Sequence, residues 1–399
     1  MAQRHHDPTD PTAVPADALA GYLRAQATEF LRALRTHRET GGAGGSAPLR
    51  AQSGAGDAGA EESTDAALAL RRSARRISGT LHTFRPLLDA DWSDSLRPEL
   101  AWLSGTLGRE HAYAARLDRL VTALNRLSGA AGFPTQAALP ARSTATAAST
   151  VGSRPAGAER ASGGGTPQAF KAPGEDLGTA GPDAGPAATP DRGSLTVGAA
   201  KAGALLDRRL TLARTRAHSA ALQALGSSRF HAVADNVALL ASEVPLSPTA
   251  ATTDLRPLAA AAHDRLRDAV TGLPLHTAGH PYNAEALIHG LSPDTAPHPQ
   301  DAPWHQVRLL LRLHRYALEV LHPEAVPVDV SLLAAGESLN RHRDASEAAS
   351  AAASAARTPR IAPATAYALG ILHADQRHEV EASRFAFQQS WQKGAVSTR

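Results

Sequence analysis

Cysteine is absent from the 399 residues. That excludes a disulfide framework, a thiol nucleophile and any cysteine-ligated zinc or iron–sulfur site. Aromatic residues make up 4%, too few for the stacked side chains on which single-strand nucleic-acid binders hold bases. Lysine occurs only at Lys171, Lys201 and Lys393, so nearly all positive charge is arginine. The formal net charge of +3 is modest and, with the scarce aromatics, disfavours nucleic acid as a partner. No apolar run approaches the roughly 18–20 residues that span a bilayer. The opening MAQRHHDPTDPTAVPADALA is polar and proline-rich, unlike a secretory signal. The expectation is a cytoplasmic protein with no membrane contact.

What is present is helical periodicity. Residues 14–129 carry apolar side chains three and four apart, with few β-branched runs. Residues 130–197 are rich in Gly, Ala, Pro, Ser and Thr. Such a segment cannot bury enough apolar surface to order itself and reads as a disordered insertion. A shorter stretch of the same kind interrupts the first part around residues 41–63. Periodicity returns over 198–395, broken by a His/Pro-rich loop from Pro274 to Pro303. Nothing alternates with period two for long enough to make a sheet, so the fold class is all-α.

Helix ends are readable too. Ser63 or Thr64 can cap a helix that runs to Arg85 and stops at Pro86. Asp301, Ala302 and Pro303 open another, which runs to His322 and stops at Pro323. A last helix from Pro363 towards Lys393 offers Tyr367, Leu369, Leu372, Phe385 and Phe387 to the core.

The two Pro-terminated helices align as an internal repeat. Arg71, Arg75, Leu81, Phe84 and Pro86 fall opposite Arg308, Arg312, Leu318, Leu321 and Pro323. Leu107–His111 likewise resembles Leu339–Asp344, which implies two related helical halves. At 100° per residue, His305, Arg308, Arg312 and Arg315 share one face of the second helix, with Tyr316 at its edge. Acids three or four residues away would partner these arginines on an ordinary solvated helix; Glu319 is the one in reach. On the first helix Arg71, Arg75 and His82 share a face, with Arg72 beside it and Arg76 at its edge. Unneutralised guanidinium groups on one ridge repel each other, a cost that a bound polyanion offsets. Arginine suits phosphate because its planar fork donates two parallel hydrogen bonds and keeps its charge. The bland reading is a solvated charged face in an arginine-rich composition.

At these residues the sequence resembles the CHAD family, the conserved-histidine α-helical domain proteins. LALRRSARRISGTLHTFRPLL matches the first family signature and supplies Arg71, Arg75 and Arg76. HQVRLLLRLHRYALEVLHP matches the second and supplies His305, Arg308, Arg312, Arg315 and Tyr316. LNRHRDA supplies His342, Arg343 and Asp344, and AYALGILHADQRHE is similar to the closing helix. The resemblance implies two four-helix-bundle-like halves related by a pseudo-twofold, whose basic residues line a shared cationic groove. It implies inorganic polyphosphate as ligand, association with polyphosphate granules, and no catalytic activity. The expected contacts are therefore Arg71, Arg75, Arg76, His305, Arg308, Arg312, Arg315, His342 and Arg343, with the two histidines gaining charge near pH 6.5. The chain departs from the pattern at Leu68, Ser78, His111, Ala112 and Asn340, so the second half is expected to dominate binding.

Other classes are weaker. His276, His280, His289 and His298 lie in a Pro-broken loop that seldom offers the fixed geometry metal ligands need; neither metal nor cofactor is expected. No P-loop, paired carboxylate motif or nucleophile elbow appears, so no enzyme is expected. The alternative is a helical scaffold that docks a protein partner which the sequence leaves unidentified.

Overall fold

The computed structural model describes residues 14–42, 55–129, 192–280, 299–322 and 329–397. Among them lie ten α-helices: α1 (Ala16–Gly42), α2 (Ala55–Thr83), α3 (Ala90–Leu127), α4 (Arg192–Leu225), α5 (Ser228–Ser242), α6 (Arg256–Thr271), α7 (Leu275–Ala278), α8 (Ala302–Leu321), α9 (Val330–Ala356) and α10 (Pro363–Ser397). Outside helices the extended pairing is a single bridge between Leu88 and Leu246 among the described residues, as the all-α reading expected. The insertion expected at 130–197 lies outside the described residues up to Asp191, and Arg192–Val197 are the first residues of α4.

The helix ends follow local chemistry. Asp89 caps α3 by accepting from Trp92 N, Ser227 caps α5 through Phe230 N, and Asp329 caps α9 through Ser331 N and Leu332 N. α2 ends at Thr83 and a 3-10 turn containing Pro86 follows. Its start differs from the sequence expectation, because it begins at Ala55 rather than at Ser63 or Thr64. The segment preceding Ser63 is rich in alanine, with Asp57, Glu61 and Glu62 among the early turns. Helix-forming alanine and acids near an N-terminus both favour that extension.

Three apolar clusters hold the helices together. The first joins α1, α2, the start of α3, α5 and the end of α8, around Leu23, Phe30, Ile77, Leu100, Phe230 and Val320. The second joins the ends of α3 and α9 to α4 and the start of α10. There Ala348, Ala352 and Ala355 recur at helical spacing on α9 and let α10 approach closely with Leu369 and Leu372. The third seats Trp304, Val307 and Leu311 of α8 against α6, the start of α9 and Phe387. Each such side chain, fully buried, contributes about 1.5–3 kcal/mol.

Of the core candidates on α10, Leu369, Leu372 and Phe387 are fully buried and Phe385 half-buried, whereas Tyr367 is 55% exposed. Tyr367 stands on the far side of the helix from the Thr365, Ala368, Leu369 and Leu372 face, and the 3.6-residue repeat carries it into solvent. α2 and α8, the two helices of the repeat, pack on one another. Gly79 makes this possible: a Cβ there would come within 2.6 Å of the Tyr316 ring.

Candidate cationic site

The apolar side of α8 faces the third cluster, which leaves its basic ridge turned towards α2, α3 and α9. Arg308 and Arg312 sit on that ridge half-buried, and Arg71 and Arg75 come to meet them from α2. None of these four is in an ion pair among the described residues. Burial, then the charges of Arg71, Arg312 and Arg308, push the Arg75 pKa down to about 9. Burial with Arg312 and Arg343 does the same to Arg308, also to about 9. Arg71 and Arg312 are shifted down for the same reasons, and Arg343 acts on both. Such shifts measure how much the fold disfavours charge there, since guanidinium groups otherwise hold their protons far above this range.

Several donors of this cluster are unsatisfied. Arg71 Nε, Arg308 Nε and His305 Nε2 are buried and make no hydrogen bond among the described residues. Unpaired buried polar atoms are uncommon in folded proteins and mark a strain reservoir or a missing ligand. Arg308 has one neutral partner, donating through Nη1 to Asn340 Oδ1 at 3.4 Å. Arg71 lies over Gly108 of α3, where a Cβ would stand 2.4 Å from its guanidinium carbon. Arg343 borders the cluster but shares its charge with Asp344, through an Nε contact of 3.0 Å, and with Glu347. Glu347 is held in turn by Arg116.

The remaining expected residues stand elsewhere. Arg76 turns away from the cluster and donates to Glu319 at 2.8 Å, an acceptor shared with the Tyr22 hydroxyl at 2.7 Å. Burial alone would lower the Arg76 pKa, but Glu319 raises it. Glu319 thus serves the opposite helix rather than its own stripe. Arg315, on the same ridge as Arg312, passes 3.9 Å from where a Cβ on Gly336 would be. His305 is half-buried edge-on to His342, with ring centroids 5.5 Å apart. His342 itself is only 1% exposed and stacks on Trp304 at 5.6 Å. Burial pushes both histidines below 6.5, His342 far below, aided by Arg384. The expectation that they gain charge near pH 6.5 is therefore corrected: His342 is a neutral interior group beneath the cluster.

That interior holds a feature the sequence reading missed. Asp301, fully buried, accepts from Arg377 at 2.8 Å and Arg384 at 2.7 Å and from the Ser346 hydroxyl, with His342 Nε2 3.6 Å away. Burial would raise its pKa, but Arg377, His342 and Ser346 together hold it well below the usual carboxylate range. The network ties α8, α9 and α10 together directly under His305. Its only signal in the sequence is two arginines seven residues apart on a helix face that also carries Val380 and Phe387.

Of the metal candidates, His289 and His298 lie outside the described residues, while His276 and His280 pair with ring centroids 5.0 Å apart. No group of three or more metal-ligating side chains occurs among the described residues. No described helix is long and apolar enough to cross a membrane.

The CHAD-domain profile matches residues 49–353 of this all-α chain. The chain belongs to the CHAD family. Among solved structures it is similar to PptA from Streptomyces chartreusis, with 59% identity over 95% of this chain and 99% of that one and a TM-score of 0.67. A CHAD domain from the plant Ricinus communis also aligns over 99% of this chain and 98% of that one, at 16% identity and a TM-score of 0.44. No curated protein matches the chain.

Proposed function

We propose that this protein binds inorganic polyphosphate, without transforming it, on Arg71, Arg75, Arg308 and Arg312, with His305, Arg315 and Arg343 at the margin. One observation carries the reading: four half-buried guanidinium groups face each other, none of them in an ion pair among the described residues, with Asp344 and Glu347 acting on Arg71 and Arg308 only from a distance. An anion of several charges would relieve their mutual repulsion. Polyphosphate offers closely spaced oxygens and no bases, so a lining of arginine without stacking aromatics suits it. Membership of the CHAD family supports the same ligand. Arg76 and His342 act as supports, one bridging α2 to Glu319 and the other lying under His305. The acids nearby support binding as the role: Asp344 and Glu347 are engaged by Arg343 and Arg116. A granule presenting the polymer at high density would recruit such a site.

The test is a calorimetric titration of the full chain with long-chain polyphosphate at two salt concentrations, with single-stranded RNA as competitor. The expected result is tight binding that weakens steeply with salt, as phosphate contacts release counterions, and that RNA at equal phosphate fails to displace. Absence of binding at low salt, or equal displacement by RNA, would overturn the reading.

A finer prediction concerns Gly108. Gly108→Ala places a methyl group where the Arg71 guanidinium lies. The arginine is the flexible end of a side chain, so it moves aside and stability changes by less than about 1 kcal/mol. One charge-assisted contact of roughly 1.5–3 kcal/mol is lost from the site. Titration should show polyphosphate affinity down by about tenfold or more at an unchanged melting temperature.

A further inference from the structure

Beside the arginine cluster, α2, α3 and α8 enclose a cleft of about 600 Å³, within the ordinary range of small-molecule sites. α8 lines it with two adjacent rows, Arg308 and Arg312 in one and Leu309 and Leu313 in the next. Pro98 and Ala101 of α3 add to the apolar side. Leu309 is 51% exposed, an apolar surface beside buried cations that a chain of inorganic phosphates does not use. The space exists because α2 is small here. Ser78 stands where the repeat places Arg315 on α8, and its hydroxyl donates to the Arg97 carbonyl at 3.3 Å. The acid bordering the cleft, Asp94, is bound by Arg85 through both oxygens, at 2.9 and 2.5 Å, so it leaves the phosphate end of the cleft cationic. Arg308 Nε, buried and without a partner among the described residues, belongs to the same lining.

We propose that this cleft takes an ester of a short phosphate chain, with the phosphates on Arg75, Arg308 and Arg312 and the organic group against Leu309, Leu313 and Pro98. The proposal rests on the polyanion reading above and adds a ligand class to it: nucleoside triphosphates and similar esters as small-molecule occupants. It reverses the order that charge alone would give. Inorganic tripolyphosphate carries one more ionisable oxygen than adenosine triphosphate, so a purely electrostatic site prefers the inorganic chain. A cleft that buries roughly 50–100 Å² of apolar ligand surface prefers the ester by about tenfold.

The experiment titrates the full chain, in buffer containing a divalent-cation chelator, with ATP, with inorganic tripolyphosphate and with long-chain polyphosphate. The expected result is ATP about tenfold tighter than tripolyphosphate. Leu309→Ser, at an exposed position, should weaken ATP severalfold and leave tripolyphosphate as before. Ser78→Arg fills the cleft and adds a cation, so it should weaken ATP at least tenfold while strengthening both inorganic ligands. Such opposite responses cannot come from a general loss of fold. Tripolyphosphate binding as tightly as ATP, or Ser78→Arg shifting all three ligands in one direction, would overturn the proposal. If long-chain polyphosphate binds and ATP shows no preference, the cleft proposal alone falls; if none of the three binds, the polyphosphate reading falls with it.

Discussion

Replacing Arg308 and Arg312 together by methionine should raise the melting temperature of the free protein while lowering its affinity for long-chain polyphosphate by at least a hundredfold. The two effects have one cause. Both side chains are half-buried beside other cations, without a carboxylate partner among the described residues. Methionine keeps the apolar stem that packs against α8's neighbours and removes the charge. Exchanging a buried ion pair for apolar volume is neutral or stabilising by up to about 4 kcal/mol, and a cation buried without a partner costs more to keep, so a gain of a few degrees is expected. The same charges, bonded to phosphate, are each worth roughly 1.5–3 kcal/mol, and two of them exceed a factor of 100.

The ligand's own effect on stability then completes the test. Polyphosphate should raise the wild-type melting temperature by mass action and leave that of the double variant nearly unmoved. The slope of log affinity against log salt should fall by about 1.4, if each lost contact behaves like one to a single-stranded phosphate chain. Arg72→Met, at an exposed neighbouring position on α2, should change neither quantity appreciably. Arg71→Met with Arg75→Met should cost less than the α8 pair, because Leu68 and Ser78 leave the α2 ridge with fewer cations around it. A double α8 variant that binds as well as wild type would place the ligand elsewhere on the molecule.

How far the sequence carries this architecture differs from residue to residue. The period of α8 was legible because its apolar and basic faces are sharply separated: Val307 and Leu311 of the apolar face are buried, and Leu310, Leu318 and Leu321 half-buried. The kinship of α2 and α8 was legible through the repeat, whereas a groove shared by their ridges was an implication of the family resemblance. What sequence periodicity lacks is the partner across space. Glu319 sits near the arginines of its own helix, yet its carboxylate goes to Arg76, 243 positions away. His342 lies in a helix beside Arg343, and nothing local tells that one points inward to Trp304 while the other borders solvent. Tyr367 is aromatic and was counted for the core, but its angle about α10 puts it outside. The cleft is invisible for a similar reason: it is made of what Ser78, Gly79 and Ala101 leave empty, and an absence of side chain has no pattern until the helices are placed.

Asp301 is where that blindness has the largest energetic consequence. In sequence it opens α8 ahead of Ala302 and Pro303, the setting of a capping residue. In the structure its side chain makes no capping bond and is instead fully buried between Arg377 and Arg384, which are 3% and 5% exposed. Asp301→Asn keeps the shape and removes the charge, leaving Arg377 without its counter-ion and Arg384 with Glu381 alone at 2.7 Å. Breaking a buried pair by removing one partner costs about 3–5 kcal/mol, so the urea midpoint should fall sharply at unchanged slope. Replacing Asp301, Arg377 and Arg384 together by leucine and two methionines should restore most of the loss, because the cost lies in the stranded cations. A small effect of Asp301→Asn would mean that water reaches the site and that α10 is not anchored there. The same network sets the acid limit of the fold. His342 is held neutral, its folded pKa far below 6.5, so the unfolded chain takes up protons first and stability falls as pH drops below about 6.5. Asp301, depressed in the folded state, contributes fully above its unfolded pKa and adds a second loss below about pH 4. His342→Gln should shrink the first of these phases, to which His82, His305 and His314 also contribute because burial lowers their pKa values too, and leave the second, measured as urea midpoint against pH.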